Sequence, residues 1–403
     1  MTMEVLKVVE HVGFRVVRIV TDNHQTNVAL FKRLNEDGTL YHAVQHPLRE
    51  GAPLCLSFDP NHLIKNIRTN FLERELTDGK EAIRGGTYLK KLLEIQAHLL
   101  VKPVRFLTRS HVEPNNLEKM KVSRATQVFS DVVIGTLKYL QEHPQCHPDA
   151  EEFQECSATI EFMKMVAKWY ALHDIGSVRA HGPYSKFEAP NEEPFMTTND
   201  ERLSWLEVDF ISYLEEVQRS GSKSRNRMTK ETYEATVMTT RSTVALIEYL
   251  LDHVNFRHVL TRGLNSDPVE SLFSCFRQYN DGNDRVDARA AVFTAEKLLK
   301  VGILQAAKNG NAPVSSEANA PIKMAVKNQG PPPIPSGLLL VARELVSELE
   351  FLSSWSDTRA DIEPAPIAYL AGYLVRVPVK KRFSARLAKL SCSFSRQTTH
   401  CTV

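Results

Sequence analysis

Three acidic residues stand where this chain could do chemistry: Asp22, Asp59 and Glu270. Asp22 follows the apolar, β-branched run FRVVRIV at 14–20, which suits a buried strand. The carboxyl ends of strands are where open α/β sheets place functional residues. The competing reading of Asp22 is a turn residue or the N-cap of the next helix. Asp59 closes a second apolar run, Pro53–Phe58. Here the structural reading is favoured: Asp at an N-cap with Pro60 at the first helical position is a sufficient helix start. His62 then reads as a packed or surface histidine. Asp267 and Glu270 flank Pro268 at capping-box spacing. Asp267 reads as a cap, and Glu270 as either its partner or a site acid.

The elements that must position these residues follow from periodicity. Val5, Val8, Val9 and Val12 fall on one helical face, and Gly13 ends that helix. The 14–20 strand, a short helix over 27–34, the Pro53–Phe58 strand and a helix from Pro60 continue the pattern. Such a layout predicts an α/β fold with parallel strands. Beyond residue 60 strands almost vanish. Segments 87–101, 115–141, 151–173, 201–219 and 231–260 carry 3.6-residue periodicity, joined by polar loops such as SGSKSRNR at 220–227. A helix follows in 261–300, with Val269, Leu272, Phe273 and Phe276 as its core stripe and Glu270, Ser274 and Arg277 on another face, and a long amphipathic helix reaches Lys300. Residues 307–336, rich in Ala, Asn, Pro and Ser, read as a linker. Residues 337–353 read as a helix, and 380–403 as a basic, then Ser/Thr-rich tail.

Composition narrows the function classes. With 42% hydrophobic and 24% charged residues the chain is ordinary globular protein, and its 403 residues suggest two or three domains. A net charge of +2 excludes a global basic field, so any nucleic-acid surface must be local. Six scattered cysteines without a CxxC pair, and no signal peptide, point to a reducing compartment, cytosol or nucleus. No 18-residue apolar run predicts a membrane span. There is no P-loop. His143, Cys146, His147 and Cys156 fit no common zinc spacing. The basic cluster around Lys380 could bind phosphates or an import receptor, or be a solvated tail.

Five blocks in order carry a resemblance: GFRVVRIVTDN at 13–23, FDPNHLIKN at 58–66, KVSRATQVFS at 121–130, LNSDPVESLF at 264–273 and YLAGYLV at 369–375. Together they resemble the P-element transposase family, THAP-domain DNA transposases included. The resemblance implies a partial RNase H-like core, α/β in class, interrupted by a large all-α GTP-binding insertion and followed by a helical C-terminal region. It divides the chain into 1–59 (first part of the core), 60–266 (insertion), 267–305 (second part of the core), 306–336 (linker) and 337–403. It also implies Asp22 and Glu270 as catalytic carboxylates and metal ligands, Asp267 as the residue reading guanine, and Lys121, Val122 and Ser130 in the nucleotide-binding motif. Mg²⁺, GTP, DNA transposon ends and further copies of the chain are the implied cofactors and partners, and the nucleus the implied compartment. Carboxylates suit hard Mg²⁺. Two such ions about 3.5–4 Å apart would activate a water or 3′-hydroxyl and stabilise the leaving oxygen.

Two departures from the family pattern are visible. The family's first aspartate lies on a core strand well before the position of Asp22, yet only 21 residues precede Asp22. The expectation is an N-terminally truncated member, lacking the first strands and the zinc-binding finger and inactive alone. Where the family has an aromatic pair followed by an acid, this chain has Trp169-Tyr170-Ala171, with Asp174 beyond. Two other functions stay open: a host-adopted DNA- or nucleotide-binding protein without catalysis, and a hydrolase using Asp22, Asp59 and Glu270.

Overall fold

A computed structural model describes residues 2–177, 190–279 and 286–301. The expected linker, the 337–353 helix and the basic tail lie outside them. The fold is mixed α/β with few strands, in two compact units: Val17–Ser266, and Met1–Val16 with Asp267–Val403.

The larger unit opens with a three-stranded sheet of β1 (Arg18–Thr21), β2 (Ala43–Gln45) and β3 (Pro53–Phe58), in the order β1-β3-β2. β1 runs parallel to β3, as the α/β layout predicts, while β2 is antiparallel to it. β3 lies between both neighbours, and residues 54–58 are all buried. A strand covered on both faces reads as an unbroken apolar run. β1 is shorter than the 14–20 run suggests. The amides of Phe14 and Val16 instead donate to the Val9 carbonyl (3.3 Å) and the Glu10 carboxylate (2.6 Å) of the preceding helix.

α2 (Gln25–Leu34) follows β1, and α3 (Pro60–Glu73) follows β3. Next come the two-residue strands β4 (Leu76–Thr77) and β5 (Ala82–Ile83), then α4 (Gly85–Ala97) and α5 (Arg109–Val112). The periodic segment 115–141 is three helices, not one: α6 (Asn116–Lys119), α7 (Val122–Val128) and α8 (Asp131–Glu142). Lys121 (ψ 114°) and Ser130 (ψ 152°) adopt extended backbone between them. α9 (Ser157–His173), α10 (Glu201–Ser204), α11 (Ile211–Ser220) and α12 (Lys230–Glu248) complete the block. Helical structure beyond α12 stops at His253, short of the expected 260.

α12 packs on β3 through small polar residues: Thr232, Thr236, Thr239, Thr240 and Thr243 are all buried. Thr236 and Thr240 donate to carbonyls one turn earlier, at 2.7 and 2.8 Å. Such back-bonding satisfies a hydroxyl inside a core. Thr239 accepts from the Phe58 amide (3.0 Å) and donates to its carbonyl (3.2 Å). Short side chains thus let the helix approach the strand, with its hydroxyls bonded within the core.

In the smaller unit, α1 (Thr2–His11) ends at Gly13, whose φ of +95° only glycine adopts readily. α13 (Asp267–Tyr279) packs Leu272, Cys275 and Phe276 against Ala291 and Ala295 of α14 (Ala288–Val301). Cys275 therefore joins the stripe expected on α13, while Val269 and Phe273 are half-buried.

Candidate functional site

The parallel pair β1–β3 delivers two carboxylates to one end of the sheet. Thr21 stands opposite Phe58, and the Asp59 amide donates to the Thr21 carbonyl at 2.8 Å. Asp22 is exposed. Its Oδ1 accepts from the His24 amide (3.2 Å) and from Asn27 Nδ2 (2.6 Å), which fixes the carboxylate. Oδ2 has no donor among the described residues and is open to a cation. The cap of α2 is His24, whose ring accepts from the Thr26 amide, so Asp22 is a turn residue as well as an available acid.

Asp59 is fully buried. Oδ1 accepts from the Asn61 amide at 2.9 Å, and Oδ2 accepts from the Ser266 hydroxyl. It is the N-cap of α3 with Pro60 behind it, as its sequence predicts. His62, half-buried, brings a ring nitrogen within 4.8 Å of an Asp59 carboxylate oxygen. The Asn61 side chain accepts from the Tyr170 hydroxyl at 2.7 Å. Trp169 is buried, its indole N–H donating to Thr240 (2.9 Å), and Asp174 pairs with Arg262 at 2.7 and 2.9 Å.

Further along the same unit, the KVSRATQVFS segment forms two successive helix starts. Lys121 is the N-cap residue of α7 and its side chain is exposed. Val122, the first helical residue, is buried, so its side chain packs while its backbone N–H heads the helix. Ser130 is the N-cap residue of α8, but its hydroxyl donates back to the Gln127 carbonyl (2.8 Å). A helix start without a side-chain cap leaves N–H groups for an anion. α7 carries no acid in its first turn, whereas Asp131 opens α8, so α7 is the better anion acceptor.

Sequence reasoning missed the cations beneath α7. Arg68 on α3 is fully buried and donates to the Lys119 carbonyl at 2.9 Å. Its Nε and Nη1 lack a hydrogen-bond partner. Burial, and then the charge of Arg124, hold its pKa below the ordinary arginine value. Arg124 pairs with Glu118 at 2.9 Å. Nothing in residue type signals that Arg68 is buried. In the smaller unit, α13 begins at Asp267, with Glu270 in its first turn, and both are half-buried.

Comparison with known proteins gives three findings. The family described as "TNP-like, GTP-binding insertion domain" matches residues 61–185, which include α7 and the start of α8. The Transposable element P transposase of Drosophila melanogaster is 24% identical over 283 residues, 68% of this chain and 34% of that protein. The human DNA transposase THAP9 is 25% identical over 158 residues, 38% of this chain and 17% of that protein. The chain thus spans about a third of the first relative's length and about a sixth of the second's. The solved Drosophila P element transposase strand transfer complex has the same fold. It matches with a TM-score of 0.59 and 20% identity, over 73% of this chain and 62% of that one. Together these matches support a P-element-like transposase family for this chain.

Proposed function

We propose that this chain is a GTP-holding part of a P-element-like transposase acting on DNA. Residues 1–59 and 267–305 would contribute to an RNase H-like core and 60–266 form its insertion. The observation that carries the reading is the family match over 61–185, coinciding with the α7 start where Lys121 and uncapped backbone N–H groups stand. A nucleotide's phosphates need this combination of a mobile ammonium and fixed N–H donors. Lys121 would neutralise phosphate charge, the Val122 backbone would donate, and Ser130 would offer its hydroxyl once released from Gln127. Asp267 would accept from the guanine base.

Asp22 fits a hard cation, because one carboxylate oxygen is held by Asn27 and His24 while the other is open. It would be a ligand to Mg²⁺, which when bound supplies an activated hydroxyl and charge stabilisation for phosphoryl transfer; Glu270 is named as a further ligand by the family resemblance alone. Asn27 and His24 fix Asp22 so that the metal would meet an oriented ligand.

The test is nucleotide selectivity. The purified chain is titrated with GTP and with ATP, alongside Asp267→Asn. GTP should bind in preference to ATP, and the variant should lose that preference. Equal binding of both nucleotides by both proteins, or binding of neither, would remove the GTP assignment. A chain that binds GTP yet never nicks duplex DNA with Mg²⁺ or Mn²⁺ is a binding module without catalysis.

A further inference from the structure

The loop between α11 and α12 is polar in sequence and has no part in the nucleotide or metal chemistry above. Its backbone is held in one shape. Arg74 at the end of α3 donates from one guanidinium nitrogen to the carbonyls of Ser224 (2.8 Å) and Arg227 (3.1 Å). Asn226 donates from its side chain to the Glu75 carbonyl (3.0 Å) and from its amide to the Lys223 carbonyl (2.9 Å). Arg227 Nε donates to the Gly221 carbonyl at 2.5 Å. A Cβ at Gly221 would stand 2.4 Å from the Asn226 carbonyl oxygen, so only glycine allows the loop to close this tightly. Met228, buried, anchors the far end.

This rigid frame presents Lys223, Arg225 and Arg227, all exposed. None of the three lies within ion-pair distance of a carboxylate among the described residues. Neighbouring acids are engaged elsewhere: Glu216 binds Arg219 and the Ser220 hydroxyl, and Asp78 accepts from the amides of Lys80 and Glu81. The exposed Glu75, whose carbonyl accepts from Asn226, adds one acid beside three side-chain cations and the Arg74 charge. Like charges held together on an ordered loop repel, and folding alone gives them no compensation. A polyanion would supply it. The segment 220–230 contains no aromatic residue, so it offers no platform for stacking unpaired bases. Its chemistry suits phosphate oxygens on a duplex.

We infer that the 221–227 loop is a contact surface for the phosphate backbone of double-stranded DNA, read without regard to sequence. The inference rests on the DNA-acting role proposed above and places one DNA contact on this chain. Lys223 and Arg225 are the contacts by which to test it, since neither side chain holds the loop together.

The experiment measures binding of the full chain to a duplex of arbitrary sequence across a series of salt concentrations. Each phosphate contact adds about 0.9 to the slope of log affinity against log salt. The double variant Lys223→Ala with Arg225→Ala should lower that slope by about 2 and keep the melting temperature. The double variant Lys102→Ala with Lys138→Ala removes the same charge elsewhere and should leave the slope unchanged. An unchanged slope in the loop variant overturns the inference while leaving DNA binding intact. Equal losses in both variants overturn it too, by reducing the effect to net charge. Tighter binding of single-stranded RNA than of duplex overturns the assignment to duplex. Absence of DNA binding by the unmodified chain overturns the inference and the DNA-acting role together.

Discussion

The amide of Asp59 donates to the carbonyl of Thr21 at 2.8 Å, tying the end of β3 to the end of β1. That one bond brings Asp59 beside the residue after Thr21, which is Asp22. The two acids then diverge. Asp59 turns inward and both oxygens accept from the protein, whereas Asp22 is exposed with one oxygen open.

The divergence predicts opposite mutational signatures. Asp59→Ala should cost about 2 kcal/mol or more, since a cap is lost and the half-buried Ser266 hydroxyl and buried Asn61 amide lose their acceptor. Asp22→Ala should cost under about 1 kcal/mol, because its two hydrogen bonds are exposed. Urea denaturation of both variants reads the difference. Equal costs would show that Asp59 is not the buried cap described.

Burial of His173 gives the larger unit an acid sensitivity. Desolvation is the main cause of a pKa lowered to about 4, with Arg18's charge adding, against a hydrogen bond to the Trp169 carbonyl that opposes it. The unfolded chain takes up a proton near pH 6.5 that the folded unit refuses until about 4. Stability is therefore full above pH 6.5 and falls as pH drops towards 4. The loss is on the order of 3 kcal/mol, at about 1.4 kcal/mol for each pH unit. His173→Leu should flatten the dependence of melting temperature on pH across that window relative to the unmodified chain. Parallel curves would refute a neutral buried histidine.

Trp169 joins α9 to the threonine face of α12 through its bond to Thr240. Trp169→Phe should cost about 1–3 kcal/mol, as Thr240 loses its donor and a space opens. Thr240→Val alongside it should cost less than the sum of the two single changes, because the pair shares one bond. Additive costs in a double-mutant cycle would show the bond to contribute nothing.

Legibility in sequence followed burial and chain stops. The Pro53–Phe58 strand could be read exactly because it is covered on both faces, and the Pro60 helix because Asp59 and Pro60 announce it. β2 was missed: three half-exposed or exposed residues, Ala43–Gln45, carry no alternation. The start of β1 was misplaced because Glu10, in the preceding helix, captures the Val16 amide. The breaks around α7 escaped notice since apolar positions keep helical spacing through Lys121 and Ser130. The candidate residues Lys121 and Ser130 were found by resemblance, but their shared feature, each heading a helix, is visible only in the fold. Arg68 gave no signal at all.

The central claim, that the α7 start holds the phosphates of GTP, is tested most directly by calorimetric titration of GTP into the full chain and into Lys121→Ala. Measurable GTP binding is expected, weakened about tenfold or more in the variant, which is about 1.4 kcal/mol. The melting temperature without nucleotide should be unchanged, because Lys121 is exposed. Binding of equal strength in both proteins, or none in either, would contradict it.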